Sequence, residues 1–173
     1  MSLVTYEDAR PWASAMREEV LARRMPKWHA ARGYGEFAND PTLSPFDIAL
    51  IVAWVDGGAA RGDRSKALSQ PAAIKSAAPV PSKARRVALS CGDRPLPSGR
   101  LLAITPTLAE GASAGFIVFL PNGRQEIVAW IRDYEAEFAE TYWLESPIVL
   151  PRGSRLHVEG ASPCRVEVTI GAV

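Results

Sequence analysis

The chain is poor in the residues that bind transition metals. Its 173 residues include two cysteines and two histidines, and no methionine follows Met25. Haem c attachment needs a Cys-x-x-Cys-His segment, and the sequence has none. Cys91 and Cys164 also have no Cys or His neighbour at metal-ligand spacing, so we expect no metal site. We expect two buried free thiols, with one disulfide in an oxidising compartment as the alternative.

The sequence also has no large excess of charge of either sign and no long apolar run. The net charge is +1, which gives no electrostatic case for binding nucleic acid or an anionic membrane. The longest apolar run, residues 48–55, is far shorter than the about 20 residues of a membrane span. Glu7, Asp8 and Arg10 interrupt the place where the apolar core of a secretory signal would lie.

The first third of the sequence predicts two helices. A Thr5–Asp8 cap precedes the main helix, which is expected to start at Pro11 and to stop at Arg24 or Met25, before Pro26. Ser44-Pro45-Phe46-Asp47 is a strong start signal for a second helix, which ends at Gly57-Gly58. Because this second helix is apolar on most of its faces, we expect it to be mostly buried.

The rest of the chain predicts a linker and then strands. Residues 62–86 are rich in Ala, Ser, Pro and Lys and cannot form a core. From residue 87 the apolar period becomes strand-like, which predicts an antiparallel β-sandwich of about seven short strands. The fold class is therefore α+β with two modules, a helical segment 1–61, a linker 62–86 and a sandwich 87–173. The predicted strands are 87–91, 101–104, 115–120, 125–131, 141–144, 148–150, 155–159 and 165–170.

Two parts of the chain resemble known families. The first resembles the second half of a bacterial c-type cytochrome domain, through Thr5 to Trp12, Arg24-Met25-Pro26-Lys27-Trp28-His29 and Trp54 to Ala59. The second is similar to the carboxy-terminal, jelly-roll-like domain of copper type II, ascorbate-dependent monooxygenases of the peptidylglycine hydroxylase class. The segments that carry this likeness are 120–126, 130–134, 141–143 and 150–156.

The resemblance implies haem and copper chemistry whose ligands this sequence lacks. It makes Met25 the axial haem ligand, but only if a Cys-x-x-Cys-His segment exists upstream. It places a His-x-His copper pair at Thr107 and Ala109, whose side chains cannot replace imidazoles. We therefore expect no cofactor in this chain, with haem c only if the chain is truncated. The resemblance also implies an exported, periplasmic protein.

Two explanations of the missing haem segment are equally supported by the sequence. Either the chain is a fragment or a mis-started reading frame of a longer exported protein, or its half-cytochrome is an ordered appendage that packs on the sandwich and never holds haem. The leading hypothesis is a non-catalytic binding or assembly module, derived from a periplasmic redox protein, with an unknown protein partner. The runner-up is a fragment of a haem-linked, monooxygenase-like oxidoreductase or electron carrier. A carbohydrate-binding sandwich is the third hypothesis.

Other candidate residues have ordinary interpretations that we favour. Met25 is expected to pack in a core beside Trp28, His29 to lie at a helix end or on the surface, and His157 to face solvent. A group of carboxylates beside aromatic residues is typical of a sugar site, but a charged loop is favoured. A short basic patch is expected to be solvated. The carboxylates are Asp133, Glu135, Glu137 and Glu140, the aromatic residues are Tyr134, Phe138, Tyr142 and Trp143, and the basic residues are Lys83, Arg85 and Arg86.

Overall fold

The structure is a computed structural model that describes residues 3, 5–63, 65, 83–160 and 163–172. These residues form two compact units. The helical unit contains the described residues up to Trp28 and from Pro41 to Ser65. The second unit contains His29–Asp40 and the described residues from Lys83 onward. Most of the predicted linker, residues 62–86, lies outside the described residues.

The helical unit begins earlier than predicted. Helix α1 spans Tyr6–Ala9, a 3₁₀ turn spans Arg10–Trp12, and α2 spans Ala13–Leu21. Thr5 caps α1 by accepting a hydrogen bond from the Asp8 backbone N–H at 3.1 Å. Pro11 therefore does not start the main helix but lies in the tighter turn between two helical pieces. The helix also ends before the predicted Arg24 or Met25, because Arg23 adopts a left-handed conformation with φ of 54°.

Helix α3 spans Pro45–Asp56 and has the predicted capping box. The Ser44 side chain accepts from the Asp47 backbone N–H at 3.1 Å, and Asp47 accepts from the Ser44 backbone N–H at 3.1 Å. The prediction that α3 is mostly buried is wrong, since none of its residues is buried. Phe46 is 69% exposed and Leu50 is 54% exposed. Periodicity shows that the helix is apolar, but not whether neighbouring elements cover it.

A small core and a few polar contacts hold the helical unit together. Its buried apolar residues are Ala13, Val20 and Ala59. The Tyr6 hydroxyl donates to the Ala59 carbonyl at 3.0 Å, and Arg17 pairs with Asp56 at 2.9 Å. Because both of those side chains are exposed, this ion pair contributes little to stability.

The second unit is an antiparallel β-sandwich of two four-stranded sheets. The strand orders are β1-β8-β3-β6 and β2-β7-β4-β5, which is the jelly-roll arrangement. The structure thus confirms the predicted α+β fold with a β-sandwich. The strands are β1 (Arg85–Ser90), β2 (Gly92–Pro95), β3 (Gly99–Leu108), β4 (Ala114–Phe119), β5 (Gln125–Ile131), β6 (Tyr142–Leu150), β7 (Arg155–Gly160) and β8 (Cys164–Gly171).

Two strands differ from the sequence prediction. Strand β2 was not predicted, since Gly92-Asp93-Arg94-Pro95 has no strand-like apolar pattern. Strand β6 joins two predicted strands through Pro147, a residue that cannot donate to a sheet. It is tolerated because the β3–β6 register shifts between Leu101 and Ala103, and Pro147 lies in that irregular stretch at the sheet edge.

The core lies between the two sheets. Alternate residues of neighbouring strands point into it, as period-two patterns require. Among the described residues, no helix is both long enough and apolar enough to cross a membrane. The largest fully buried side chains are Leu101, Ile104, Phe116, Val118, Val128, Ile131, Tyr142, Leu150, Leu156, Val166, Val168 and Ile170.

Residues 29–40, here called the clamp segment, pack against one side of the sandwich. The Ala31 backbone N–H donates to the Trp130 carbonyl on β5 at 2.7 Å. The Ala38 backbone N–H donates to the Trp143 carbonyl on β6 at 2.8 Å. Strands β5 and β6 are the edge strands of the two sheets, so the clamp segment pairs with an edge of each. The sequence predicted only a loop here.

A disulfide joins the start of β8 to the corner between β1 and β2. Cys91 and Cys164 are bonded, with their Cα atoms 5.5 Å apart. The expectation of two free thiols is therefore wrong. The residues are 73 positions apart, and only the pairing of β1 with β8 brings them together.

Candidate functional site

The positions that the resemblance assigns to copper lie at the end of β3. Thr107 is exposed and pairs across the sheet with Arg165, while the exposed Ala109 follows the last residue of the strand. Their side chains are a hydroxyl and a methyl, neither of which is the soft or imidazole ligand that copper prefers. Within the described residues, no group of three His, Cys, Asp or Glu side chains could hold a metal ion. The side chains of this chain do not fit the implied copper site.

The residues that could serve a haem belong to different units of the structure. Both cysteines are joined in the disulfide, so neither is a thiol that can attach haem. Met25, in the helical unit, is 46% exposed, and the expectation that it packs in a core is wrong. His29 belongs to the second unit and is buried. The residues present do not fit covalently attached haem.

His29 forms a buried cluster with Tyr134 and Tyr142, and the sequence prediction of a surface histidine is wrong. The Glu135 backbone N–H donates to Nε2 at 3.3 Å, and the Tyr142 hydroxyl lies 3.5 Å from Nδ1. The ring of Tyr134 lies 5.6 Å from that of His29. Sequence distance hid this cluster, because His29 is 106 residues from Glu135 and 113 from Tyr142.

The two phenols of the cluster stay neutral. Burial raises the pKa of Tyr142 far above its usual range, and the Glu140 charge raises it further. Burial also raises the pKa of Tyr134. The Tyr134 hydroxyl donates a hydrogen bond to the Pro106 carbonyl at 3.4 Å. Neutral phenols cannot act as bases at ordinary pH. The cluster is therefore a packing and hydrogen-bonding network between the clamp segment and the sandwich.

The acidic segment 133–140 is held mainly through its backbone. The Asp133 N–H donates to the Ser113 hydroxyl at 3.1 Å, and the Ala136 N–H donates to the Glu110 carboxylate at 3.1 Å. The side chains of Asp133, Glu137 and Glu140 lie exposed, and Glu135 is half-buried. This is the arrangement of a charged surface loop. No three of these carboxylates lie close enough together to hold a metal ion.

The outer face of sheet β2-β7-β4-β5 carries aromatic side chains. The Tyr34 and Trp130 ring centroids lie 5.9 Å apart, tilted by 43°. Phe119 and His157 meet edge to face, with centroids 5.9 Å apart. His157 points away from the buried Leu156 and Val158, as predicted, and is half-buried rather than fully open to solvent. We call Tyr34, Trp130, Ile127, Phe119 and His157 the aromatic face.

An exposed apolar strip runs along α3. Phe46, Ala49, Leu50 and Ala53 are all exposed, and their spacing of i, i+3, i+4 and i+7 places them on one face of the helix. The opposite residues Ile48, Ile51, Val52 and Val55 are half-buried. We call the first four residues the α3 strip. The sequence showed that these residues are apolar, but predicted that they would be covered.

The basic patch behaves as an ordinary solvated surface. Lys83, Arg85 and Arg86 are exposed, and Arg86 lies 3.6 Å from Glu167. That distance permits a weak ion pair across β1 and β8. Positive side chains on an edge strand such as β1 also discourage pairing with other chains.

No protein-family model matches this chain, and no curated protein matches it either.

Proposed function

We propose that this protein is a non-catalytic binding or assembly module, derived from an exported redox protein, which holds a protein partner through the α3 strip. The exposure of this strip is the observation that carries the proposal. Phe46 and Leu50 keep more than half of their surface in water. Contiguous exposed apolar surface on a soluble unit is typical of an interaction site.

The spacing of the strip suits a helix-in-groove contact. Anchors at i, i+3, i+4 and i+7 of a helix are the pattern that a hydrophobic groove of a partner receives. Covering the exposed parts of Phe46 and Leu50 would contribute about 2–4 kcal/mol. That is enough to make the strip a main part of an interface, but polar contacts around it are needed for a stable complex.

The chemistry of the chain supports a role without catalysis and outside the cytosol. Thr107 and Ala109 occupy the positions where copper ligands are implied, and neither side chain ligates copper. The Cys91–Cys164 disulfide supports an oxidising compartment such as the periplasm, because such bonds persist there and are rare in the cytosol.

The test compares capture of periplasmic proteins by the full chain and by a Leu50→Glu variant. We expect one protein to be retained by the wild type, lost with Leu50→Glu, and to bind the wild type again when purified separately. Val149→Glu is the matched control, because Val149 is 57% exposed on β6 and belongs to the other unit. Equal retention by the wild type and Leu50→Glu contradicts the proposal.

A second candidate is a fragment of a haem-linked, monooxygenase-like electron-transfer protein. The observation that favours it is the exposed Met25 thioether in the unit that bears the α3 strip. In that case the strip would be covered by an upstream segment that carries haem. An in-frame Cys-x-x-Cys-His in the preceding DNA, a Soret band in the purified protein, or stoichiometric copper would replace the first proposal with this one.

A further inference from the structure

We propose that the aromatic face binds an uncharged hexopyranose unit of a polysaccharide, stacked on Trp130 beside Tyr34. The site belongs to the sandwich alone. It does not depend on the α3 strip or on its partner, so either proposal can fail without the other.

Strand register shows which side chains share this face. On β4, Phe116 and Val118 are fully buried between the sheets, so Gly115, Ile117 and Phe119 point outward. Directly paired residues of antiparallel strands lie on the same side of a sheet. The outward set therefore forms three rows across the strands. They are Trp130-Gly115-Glu159, Ile127-Ile117-His157-Asp93 and Gln125-Phe119-Arg155-Pro95.

Gly115 makes room for the Trp130 ring. A Cβ at Gly115 would lie 2.6 Å from Cζ3 and 2.7 Å from Cε3 of Trp130. The indole therefore leans over β4 from the neighbouring strand and rests against the β4 backbone. Tyr34, from the clamp segment, is 43% exposed and flanks this ring. The two rings form an aromatic platform. The Trp130 ring rests on the β4 backbone, and the adjacent Tyr34 ring is partly open to water.

Polar side chains adjoin the platform with little net charge. Glu159 lies in the row of Trp130, and His157 and Asp93 lie in the next row. Arg155 holds Asp93 with two hydrogen bonds of 2.7 and 2.6 Å, so these two charges balance. The same contact holds the pKa of Asp93 below its usual range. Planar carboxylate, imidazole and guanidinium groups beside an aromatic ring can pair with hydroxyls that both donate and accept.

The size of the face favours a small ligand over a protein. Three rows on four strands cover roughly 200 Å² when strand spacings are used. A stable protein interface needs about 800 Å² from each partner. A pyranose has an apolar C–H face for the indole and a rim of hydroxyls for the polar groups. A proline-rich segment also stacks on aromatic rings, but its prolines have no N–H to donate to Glu159 or Asp93.

The experiment titrates the full chain with cellohexaose, chitohexaose, mannohexaose and maltohexaose by calorimetry, with decaproline as a peptide probe. We expect at least one saccharide to bind. Trp130→Ala should weaken that binding about tenfold, because the stacking surface is lost. Tyr34→Ala should weaken it less, since Tyr34 only flanks the ring. Val149→Ala, on the other sheet, should leave it unchanged.

A readout without substitution keeps the proposal testable even if Trp130→Ala fails to fold. In a ¹⁵N-labelled wild-type chain, the indole N–H signal of Trp130 should shift on saccharide addition while the other tryptophan signals stay in place. The proposal is overturned if none of the four saccharides binds, or if saccharide binding leaves Trp130 unaffected. Decaproline binding at Trp130 without saccharide binding would also overturn it and assign the face to a peptide.

Discussion

Asn39 ties the clamp segment to the edge of β6 with two hydrogen bonds. Its Nδ2 donates to the Thr141 carbonyl at 2.8 Å, and its Oδ1 accepts from the Trp143 N–H at 3.0 Å. Asn39→Ala should lower the free energy of unfolding by about 1–3 kcal/mol, because two backbone groups lose their partners. Urea denaturation measures this loss.

Asn122 provides the control for that substitution. Its Oδ1 accepts one hydrogen bond from the Arg124 N–H at 3.0 Å in an exposed turn, where water can replace it. Asn122→Ala should cost about 0.5 kcal/mol. Equal costs for the two substitutions would show that the clamp segment is not held as described.

Tyr142 should make the sandwich sensitive to alkaline pH. Its pKa is raised in the folded state by burial, so the folded protein keeps a proton that the unfolded chain releases above about pH 10. Stability is therefore fully present below that pH and falls as pH rises, by at most about 1.4 kcal/mol per pH unit. Urea denaturation from pH 9 to 11.5 should show a shallower decline for Tyr142→Phe than for the wild type. Parallel curves would contradict this role.

Single residues were the hardest feature to predict from the sequence. The sequence near His29 shows a helix end followed by glycines, which favours a surface position. Its burial depends on Tyr134, Glu135 and Tyr142, which lie more than 100 residues later. Met25 shows the reverse error, because an apolar side chain was expected to be packed and is exposed. For His29 the deciding neighbours are distant in sequence.

At the scale of elements, the clamp segment depends on the close approach of Gly35 to β5. Both Gly33 and Gly35 have positive φ, of 82° and 89°. A Cβ at Gly35 would collide with the Val128 carbonyl, whereas a Cβ at Gly33 would meet nothing within 4 Å. Gly33→Ala should cost about 1 kcal/mol through backbone strain alone. Gly35→Ala should cost about 3 kcal/mol, since strain and collision combine.

Hydrogen exchange locates the effect of these two substitutions. Gly35→Ala should speed exchange of the Ala31 and Ala38 amides, which bond to β5 and β6, while Gly33→Ala leaves them protected. Similar exchange in both variants would mean that the backbone near Gly35 can accommodate the added Cβ without releasing the clamp segment. The comparison isolates the collision, because both positions have a similar positive φ and alanine is similarly strained at each.

Most elements were predictable because their signals are local. The Ser44–Asp47 capping box starts α3 as expected, and the period-two pattern predicted most of the strands. Strand β2 was missed because its residues face water and form a strand only by pairing with β7. The prediction that α3 is mostly buried was wrong for a related reason. Periodicity shows that a helix is apolar, but the neighbouring elements decide whether it is covered.

At the scale of the whole molecule, the disulfide should be a main source of stability for the sandwich. It closes a loop of 73 residues, for which the chain-entropy model gives about 4 kcal/mol. The double variant Cys91→Ala and Cys164→Ala should therefore unfold at a clearly lower urea concentration than the oxidised protein. Wild-type protein reduced with dithiothreitol should behave like the variant. No change on reduction would show that the bond is not formed in solution.

The sequence by itself determined the secondary structure of most segments and the α+β class, because caps, turns and alternating apolar residues act over a few positions. It also determined that no imidazole lies at Thr107 or Ala109. The tertiary structure alone decided that the cysteines bond, that His29 is buried and that Tyr34 meets Trp130. The disulfide depends on the pairing of β1 with β8, and the other two depend on how the clamp segment pairs with β5 and β6. These pairings bring together side chains far apart in the chain.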